Sequence, residues 1–187
     1  HRCCGNYFST LGVFCQCSPR HVSGCAGSNE AGVLLSTDQA GKRDQLKNSE
    51  EIRRYVETCQ EEFWQQVFSQ ETAYLAAHLA GAKDILSVGC GPAIIEGELL
   101  KLGFAVTGLD VSAEALACAP DGLRGVTGRA EEMPFADATF DGVIFVASLQ
   151  FVDDYRLALE RAAAVLRPGG KLIVMLLNTE SAFFQAM

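Results

Sequence analysis

The spacing of apolar residues after residue 48 predicts two helices before any strand. Apolar side chains between Ile52 and Phe63 recur three or four positions apart, which places them on one face of a helix. Ser49 can cap that helix, since its hydroxyl can accept a hydrogen bond from a free backbone N–H group of the first turn. A second helix is predicted over residues 61–79, and Gly81 ends it.

Short apolar runs then alternate with amphipathic segments along the rest of the chain. Such runs predict strands of a parallel sheet, because these strands are buried on both faces. The alternation predicts an α/β fold with a doubly wound, mostly parallel sheet and helices on both faces. Ligands of such sheets bind at the carboxyl ends of the strands, where the winding reverses. The predicted strands cover residues 85–88, 105–109, 124–127, 142–147 and 171–177.

A glycine loop follows the first predicted strand, and an aspartate ends the second. Gly89 and Gly91 allow a tight turn and the close approach of a ligand to the backbone. Such turns also occur without ligands, but a carboxylate at Asp110 can accept hydrogen bonds from both hydroxyls of a ribose. A dinucleotide site would require a third glycine where Ile94 stands, so the pattern disfavours a nicotinamide-dependent dehydrogenase.

Four blocks in this order resemble the class I S-adenosylmethionine-dependent methyltransferases, of the small-molecule type related to the ubiquinone and menaquinone C-methylases. The blocks cover residues 85–92, 106–112, 130–141 and 166–172. The resemblance implies a Rossmann-like sheet in the order 3-2-1-4-5, covered by N-terminal helices. It also implies an enzyme that transfers a methyl group from S-adenosylmethionine to a small molecule and leaves S-adenosylhomocysteine.

The resemblance assigns cofactor-binding roles to residues at the strand ends. The glycine loop would lie against the methionine part of the cofactor, and Asp110 would hold the ribose hydroxyls. Val111 and residues 130–131 would border the adenine. The complete predicted set is Ser87, Gly89, Cys90, Gly91, Asp110, Val111, Ala130, Glu131 and Val146.

Three positions depart from the pattern of the family. Ser87 stands where relatives usually have an acidic residue near the amino group of the cofactor. Ala93 replaces a glycine, and Arg129 replaces an aspartate that contacts the adenine. These departures leave a second hypothesis open, in which the chain is a non-catalytic scaffold or regulatory protein that binds the cofactor.

The candidates for catalysis are few. Transfer from a sulfonium is an in-line displacement, so the protein mainly has to align the reactants and exclude water. Gln150 stands where relatives often carry a substrate-facing histidine, and its amide can orient an acceptor without deprotonating it. His78 falls on an apolar helix face, which is typical of a packed histidine. If Trp64 or Tyr74 faces the site, a planar or apolar acceptor is favoured.

The first 36 residues are rich in cysteine and show no sustained helical or strand period. They contain thiols and an imidazole that could bind a metal, although the spacing does not match common zinc folds and we expect no metal. The pattern divides the chain into this leader of unknown role (1–36), covering helices (37–82) and a methyltransferase core (83–187). The weak metal candidates are Cys15, Cys17, His21 and Cys25.

Composition adds mainly exclusions. The chain has 187 residues and a formal net charge of −8, which disfavours general nucleic-acid binding because phosphate contacts require clustered Lys and Arg. No apolar run is long enough to span a bilayer, and no signal peptide is visible. With isolated cysteines in the body of the chain, we expect a cytoplasmic location.

The end of the sequence carries a further expectation. The family fold continues after the fifth strand with a helix and an antiparallel hairpin, and this hairpin is missing from the sequence pattern. The fifth strand should then be an exposed edge, which favours unwanted pairing. We therefore expect that a missing C-terminal segment or another copy in a homo-oligomer covers this edge.

Overall fold

A computed structural model of the chain describes residues 11–17 and 49–178, and a six-stranded sheet lies at its centre. The order across the sheet is β4-β3-β2-β5-β6-β1, where five strands are parallel and β1 pairs with β6 in the antiparallel sense. The strands are β1 (Leu11–Cys17), β2 (Asp84–Val88), β3 (Ala105–Asp110), β4 (Arg124–Thr127), β5 (Phe140–Val146) and β6 (Leu166–Leu177).

The order of the five parallel strands confirms the predicted 3-2-1-4-5 arrangement. β2 lies between β3 and β5, so the chain winds outward in one direction from β2 and then returns to its other side. The carboxyl ends of β2, β3 and β5 therefore meet at one edge of the sheet, with a crevice between the loops that follow them.

Helices cover both faces of the sheet. On one face, Leu75 of the second helix and Leu79 directly after it pack with Ile85 and Ile144 of the strands. On the other face, Ala162 of the last helix packs against Val143, the neighbour of Ile144. Successive strand residues thus supply opposite apolar layers, as a sheet buried on both sides requires. The helices are α1 (Ser49–Thr58), α2 (Glu62–His78), α3 (Ile94–Lys101), α4 (Ala113–Leu116) and α5 (Tyr155–Val165).

The outer edge next to β6 corrects two expectations. The sequence predicted no strand within residues 1–36, and it predicted that the fifth parallel strand would be an exposed edge. In the structure, Leu11 pairs with Leu177 and Cys17 pairs with Leu172, so β1 lies along β6. The sequence signal was missed because a single edge strand needs no apolar run of the kind that identifies a buried strand.

The start of β6 differs most from its predicted boundary. β6 begins at Leu166, five residues before the predicted start at residue 171. The turn residues 167–170 form an irregularity inside the strand, because the pairing with β5 shifts register there.

A compact ion-pair network joins the amino ends of β2 and β5. The Asp141 carboxylate accepts hydrogen bonds from the backbone N–H groups of Lys83 and Asp84, both at 2.9 Å. Arg167 donates to Asp141 at 2.6 Å and to Asp84 at 2.9 Å. These bonds favour the ionised carboxylate, and the backbone N–H of Asp84 and the Arg167 guanidinium lower the pKa of Asp141 to about 2.

Neither a membrane-spanning helix nor a metal-binding cluster is found among the described residues. None of the helices in residues 49–178 is long and apolar enough to cross a membrane. Within the described residues, no group of three or more His, Cys, Asp and Glu side chains is arranged to hold a metal ion. Cys15 and Cys17 belong to β1, and His21 and Cys25 lie outside the described residues. The question of a metal at the leader therefore stays at the level of the sequence.

Candidate functional site

A cavity of about 600 Å³ lies at the carboxyl ends of β2, β3 and β5, partly beneath α2. Of the nine predicted cofactor-binding residues, eight line this cavity, and the exception is Ser87. The winding of the sheet brings them together, since they lie at or after the ends of four different strands, β2 to β5. The eight residues are Gly89, Cys90, Gly91, Asp110, Val111, Ala130, Glu131 and Val146.

The glycine loop allows the backbone to enter the cavity wall. Gly89 has φ of +72°, and a Cβ atom there would lie 2.6 Å from the Cβ of Ser148. Ser148 is fixed beside it, because its hydroxyl donates to the carbonyl of Val88 at 2.6 Å. Gly91 has φ of +53° and open space where a Cβ would stand. Both positions therefore require glycine for their backbone conformation, and Gly91 leaves its surroundings free for a ligand.

Asp110 connects the glycine loop to the end of β3. One carboxylate oxygen accepts a hydrogen bond from the N–H of Gly91 at 2.7 Å, and the other accepts from the N–H of Ser112 at 2.9 Å. Each oxygen keeps a further lone pair, since a carboxylate can accept about four hydrogen bonds. The orientation of the carboxylate is therefore fixed, and it can still accept hydrogen bonds from two hydroxyl groups in the cavity.

A buried carboxyl group lies next to Ser87, where the sequence pattern lacks an acidic residue. The Ser87 hydroxyl donates to the Glu96 carboxylate at 2.5 Å, and Glu96 is only 3% exposed while it still lines the cavity. Burial, with a contribution from Asp110, raises the pKa of Glu96. The acidic group that the family places on the strand is thus present here on α3, one helical turn after the glycine loop.

A second buried carboxyl group enters the same cavity from α2. Glu71 is 4% exposed, and no donor among the described residues forms a hydrogen bond with its carboxyl group. Burial raises the pKa of Glu71 to about 7, and the nearby charge of Glu96 contributes to this increase. Neither glutamate was predicted from the sequence. The available signal for Glu71 was its helical spacing from the apolar residues 67–68 and 74–75, and for Glu96 its place on the helix directly after the glycine loop.

The charged residues of the cavity wall are mostly acidic. Within the described chain, Arg129 is the one basic residue that lines the cavity. Its guanidinium, half exposed at the rim, donates to Glu131 at 3.1 Å and to Asp153 at 3.2 Å. It therefore neutralises the rim and not the buried part of the wall. A ligand with positive charge would complement the acidic interior.

Aromatic side chains of α2 form part of the cavity wall. Trp64 stacks on Phe68 with 6.1 Å between ring centroids and meets Phe63 edge-on at 5.2 Å, and all three line the cavity. Tyr74 lies elsewhere, stacked on His78 at 3.9 Å, and the ring Nδ1 of His78 is 2.8 Å from the carbonyl of Tyr74. Of the two aromatic residues that the sequence proposed for a substrate surface, Trp64 lines the cavity and Tyr74 does not.

The predicted catalytic candidate is not at the cavity. Gln150 does not line it, and the side-chain oxygen of Gln150 is buried with no hydrogen-bond partner in the described part of the chain. The next residue, Phe151, lines the cavity instead. Cys90 does line it, but burial raises the pKa of its thiol, so that the neutral thiol is favoured over the nucleophilic thiolate.

The sequence and the fold both match known methyltransferases. Residues 86–174 match the family model described as a methyltransferase domain. An O-methyltransferase of Aspergillus sclerotiorum is 34% identical over 133 residues, which is 60% of this chain and 50% of the relative. A demethylmenaquinone methyltransferase of Mycolicibacterium paratuberculosis is 32% identical over 154 residues, 82% of this chain and 63% of the relative. The chain thus spans about half to two thirds of the length of these relatives.

Solved structures share the fold at lower sequence identity. A Methanococcus maripaludis protein assigned to the S-adenosyl-L-methionine-dependent methyltransferases superposes with a TM-score of 0.63 at 18% identity, covering 72% of this chain and 67% of its own. The cyclase SpnF superposes with a TM-score of 0.56 at 26% identity, covering 59% and 45%. Because one of these neighbours is a cyclase, the fold by itself does not determine the reaction. Residues 86–174 are therefore similar in sequence to the methyltransferase domain family, and the fold of the sheet agrees with that similarity.

Proposed function

We propose that the chain catalyses methyl transfer from S-adenosylmethionine to a small-molecule acceptor with a planar or apolar part. The observation that carries this proposal is the acidic cavity between the glycine loop and Asp110, inside the segment that matches the family. The alternative, a scaffold that binds the cofactor without catalysis, is not favoured by relatives named as methyltransferases.

The residues present fit this cofactor. Asp110 offers free lone pairs for the ribose hydroxyls, and Val111 supplies apolar surface at the end of β3 for the adenine. The open space at Gly91 leaves room for the amino-acid part. Glu71 and Glu96 supply negative charge to a ligand that carries both a sulfonium and an ammonium group.

The work of the protein in this reaction is alignment and exclusion of water. When bound, S-adenosylmethionine supplies an activated methyl group. The aromatic side chains of α2 cover the cavity and reduce its access to water, which strengthens electrostatic interactions inside. The fixed carboxylate of Asp110 and the glycine loop would hold the ligand in one orientation, and such positioning lowers the barrier of a displacement of this kind.

The aromatic part of the cavity wall bears on the choice of acceptor. One relative is named an O-methyltransferase and another a demethylmenaquinone methyltransferase, and these names concern those proteins. For this chain, Trp64 and Phe68 support an acceptor that packs against aromatic rings. A cytoplasmic location and self-association also stay predictions from the sequence.

Calorimetric titration with S-adenosylhomocysteine tests the cofactor site. Wild-type protein should bind it, and Asp110→Ala should bind it about 10- to 100-fold more weakly, because the loss of hydrogen bonds to a charged acceptor costs about 1–3 kcal/mol. The exposed Asp137 offers the matched control, Asp137→Ala, with unchanged affinity expected. No binding by folded wild-type protein, or equal affinity for Asp110→Ala, would overturn the proposed site.

A transfer assay separates the enzyme from the scaffold. The protein is incubated with methyl-labelled S-adenosylmethionine and a panel of phenols, quinols and aromatic amines, and label in the acceptor is measured. Transfer that Asp110→Ala abolishes supports the enzyme. Tight cofactor binding without transfer to any member of a broad panel, extended to cell extracts, would favour the scaffold.

A further inference from the structure

We infer that Glu71 and the aromatic rings of α2 form the acceptor site, and that this site takes a primary amine attached to a planar or apolar group. The inference rests on the proposed function, since that function supplies the methyl group. It goes further because it names the acceptor atom, nitrogen, and the side chain that binds it.

One face of α2 presents rings and a carboxyl group to the cavity together. Trp64, Phe68 and Glu71 follow one another at spacings of four and three residues, which places them on the same side of the helix. All three line the cavity, and Trp64 stacks on Phe68. A ligand that packs on these rings therefore lies along the helix face that also carries Glu71.

Glu71 is a buried carboxyl group that lacks a donor. It is 4% exposed, and no described residue donates a hydrogen bond to it. The neighbouring carboxyl group differs, because Glu96 accepts a hydrogen bond from the Ser87 hydroxyl at β2. A buried carboxyl group without a donor costs free energy unless a ligand provides one. The site therefore requires a ligand that carries hydrogen-bond donors.

The groups around Glu71 carry no positive charge. These titratable groups are Tyr55, Cys59, Cys90, Glu96 and Asp110. Arg129 is the one basic residue of the described chain that lines the cavity, and it donates to Glu131 and Asp153 at the rim. The positive charge that would stabilise the Glu71 carboxylate is therefore left to a ligand.

The proposed position of the cofactor leaves this part of the wall to the acceptor. In the proposed function the amino-acid part of the cofactor lies at Gly91 and the adenine at Val111. The rings of α2 have no role in holding either part. An acceptor that packs on them would therefore meet Glu71 as its polar partner.

An amine fits this wall better than an acidic acceptor does. Near neutral pH an alkylamine is an ammonium ion, which carries three N–H donors and a positive charge. Aromatic faces such as those of Trp64 and Phe68 also attract organic cations. A phenol would have to ionise to a phenolate beside acidic side chains, and the repulsion between like charges disfavours that ionisation.

The transfer requires the amine to lose a proton first. The Glu71 carboxylate accepts a hydrogen bond from the ammonium and takes one proton, so that an N–H bond breaks and an O–H bond forms. The lone pair of the nitrogen then forms a bond to the methyl carbon. The bond between that carbon and sulfur breaks, and its electron pair stays on sulfur. The proton passes from Glu71 to solvent, and the product is an N-methylammonium ion.

The tryptophan of the site supplies the measurement. Trp64 is the one tryptophan in the sequence, so quenching of its fluorescence follows a ligand that packs on it. Protein saturated with S-adenosylhomocysteine is titrated with phenethylamine, 2-phenylethanol and phenylacetate, which share a phenyl ring and differ in charge. Phenethylamine should bind about 10- to 100-fold more tightly than 2-phenylethanol, because the ammonium forms charge-assisted hydrogen bonds with Glu71. Phenylacetate should bind most weakly.

A variant and a second probe assign the preference to Glu71 and the methyl group to nitrogen. Glu71→Gln should bind phenethylamine and 2-phenylethanol with similar affinity and should lose transfer to phenethylamine. The matched control is Glu62→Gln, at an exposed glutamate of the same helix, which should keep the preference. Tyramine carries both a phenol and an amine, and wild-type protein with S-adenosylmethionine should methylate it on nitrogen.

Several results would overturn the amine site and leave the proposed function intact. They are equal affinity of wild-type protein for phenethylamine and 2-phenylethanol, no response of Trp64 to any of the three probes, and methylation of tyramine on oxygen or not at all. These comparisons need no variant that must fold. A preference that persists in Glu71→Gln, with weaker binding of S-adenosylhomocysteine, would assign the carboxylate to the cofactor instead. No binding of S-adenosylhomocysteine to folded wild-type protein would overturn the proposed function and the inference together.

Discussion

The two ends of the parallel strands hold acidic side chains in opposite electrostatic situations. At the amino ends, Asp141 accepts hydrogen bonds from two backbone N–H groups and from Arg167, and its pKa is lowered. At the carboxyl ends, Glu71 and Glu96 are buried, no cation of the described residues pairs with either carboxyl group, and the pKa of each is raised. Donors and a cation thus stabilise the carboxylate charge at the amino ends, and such partners are lacking for the carboxyl groups described at the carboxyl ends.

The difference separates groups that stabilise the fold from groups kept for a ligand. A carboxylate that the fold compensates favours the folded state, because ionisation is easier there than in the unfolded chain. A buried carboxyl group without compensation does the reverse, and it is retained at a cost in stability. Strongly shifted pKa values of this second kind, inside a cavity, are typical of functional sites.

The largest expected effect comes from removal of the buried charge at Glu71. Its pKa is about 7 in the folded protein against 4.5 for an unperturbed carboxyl group, so folded protein binds more protons between these values. Stability should therefore fall as pH rises from about 4.5 to 7, by about 3 kcal/mol in total. Glu71→Gln should remove this decline and raise the free energy of unfolding at pH 8, measured by urea denaturation.

The control for this prediction is Glu62→Gln, which changes an exposed glutamate of the same helix. It should leave the dependence of stability on pH unchanged. If Glu71→Gln is less stable than wild-type protein at pH 8, a donor or cation stabilises the Glu71 carboxylate in the folded protein. The contrast between the two ends of the strands would then be wrong.

At the amino ends of the strands, Asp141→Asn should lower the free energy of unfolding, whereas Glu71→Gln should raise it. The folded pKa of Asp141, about 2, lies below the ordinary value of 3.8 for this side chain, so its stabilisation is present above about pH 4 and is lost as pH falls toward 2. With allowance for solvent screening of a partly exposed group, we expect a loss of about 1–2 kcal/mol at pH 7. The difference from wild-type protein should shrink as pH falls from 4 to 2.

Asp137→Asn provides the reference for that measurement, because Asp137 is exposed in the loop before β5. Its unfolding free energy should follow that of wild-type protein across the whole pH range. A loss at Asp141→Asn that stays constant down to pH 2 would show that the network acts through shape and not through the ionised carboxylate.

The parallel strands, the glycine loop and Asp110 could be predicted from the sequence, because each is determined by residues close together in the chain. Each buried strand is a short apolar run, and the glycine loop and Asp110 follow such runs directly. The order of the strands then follows from the resemblance to the family. Residues at the end of a strand could therefore be assigned to the site without knowing how the helices pack.

The remaining features depend on contacts between distant segments. Glu71 meets Glu96 only because α2 packs on α3, and nothing in either segment alone shows this. Gln150 and Phe151 are neighbours in a short 3-10 turn, so a small rotation decides which of them lines the cavity. The strand β1 was missed because its partner, β6, is more than a hundred residues away.

The smallest expected effect concerns Arg129, the cation at the rim of the acidic end. Its guanidinium is half exposed, and exposed ion pairs contribute little because water and salt screen them. Arg129→Ala should therefore change the affinity for S-adenosylhomocysteine by less than about threefold at physiological salt. The direction should be tighter binding, since Glu131 loses its partner and the cavity becomes more acidic. The change should grow at low salt, and Lys101→Ala, at an exposed pair on α3, should show none. A tenfold loss of affinity instead would mean that Arg129 contacts the ligand. The carboxyl ends of the strands would then contain a cation that takes part in binding.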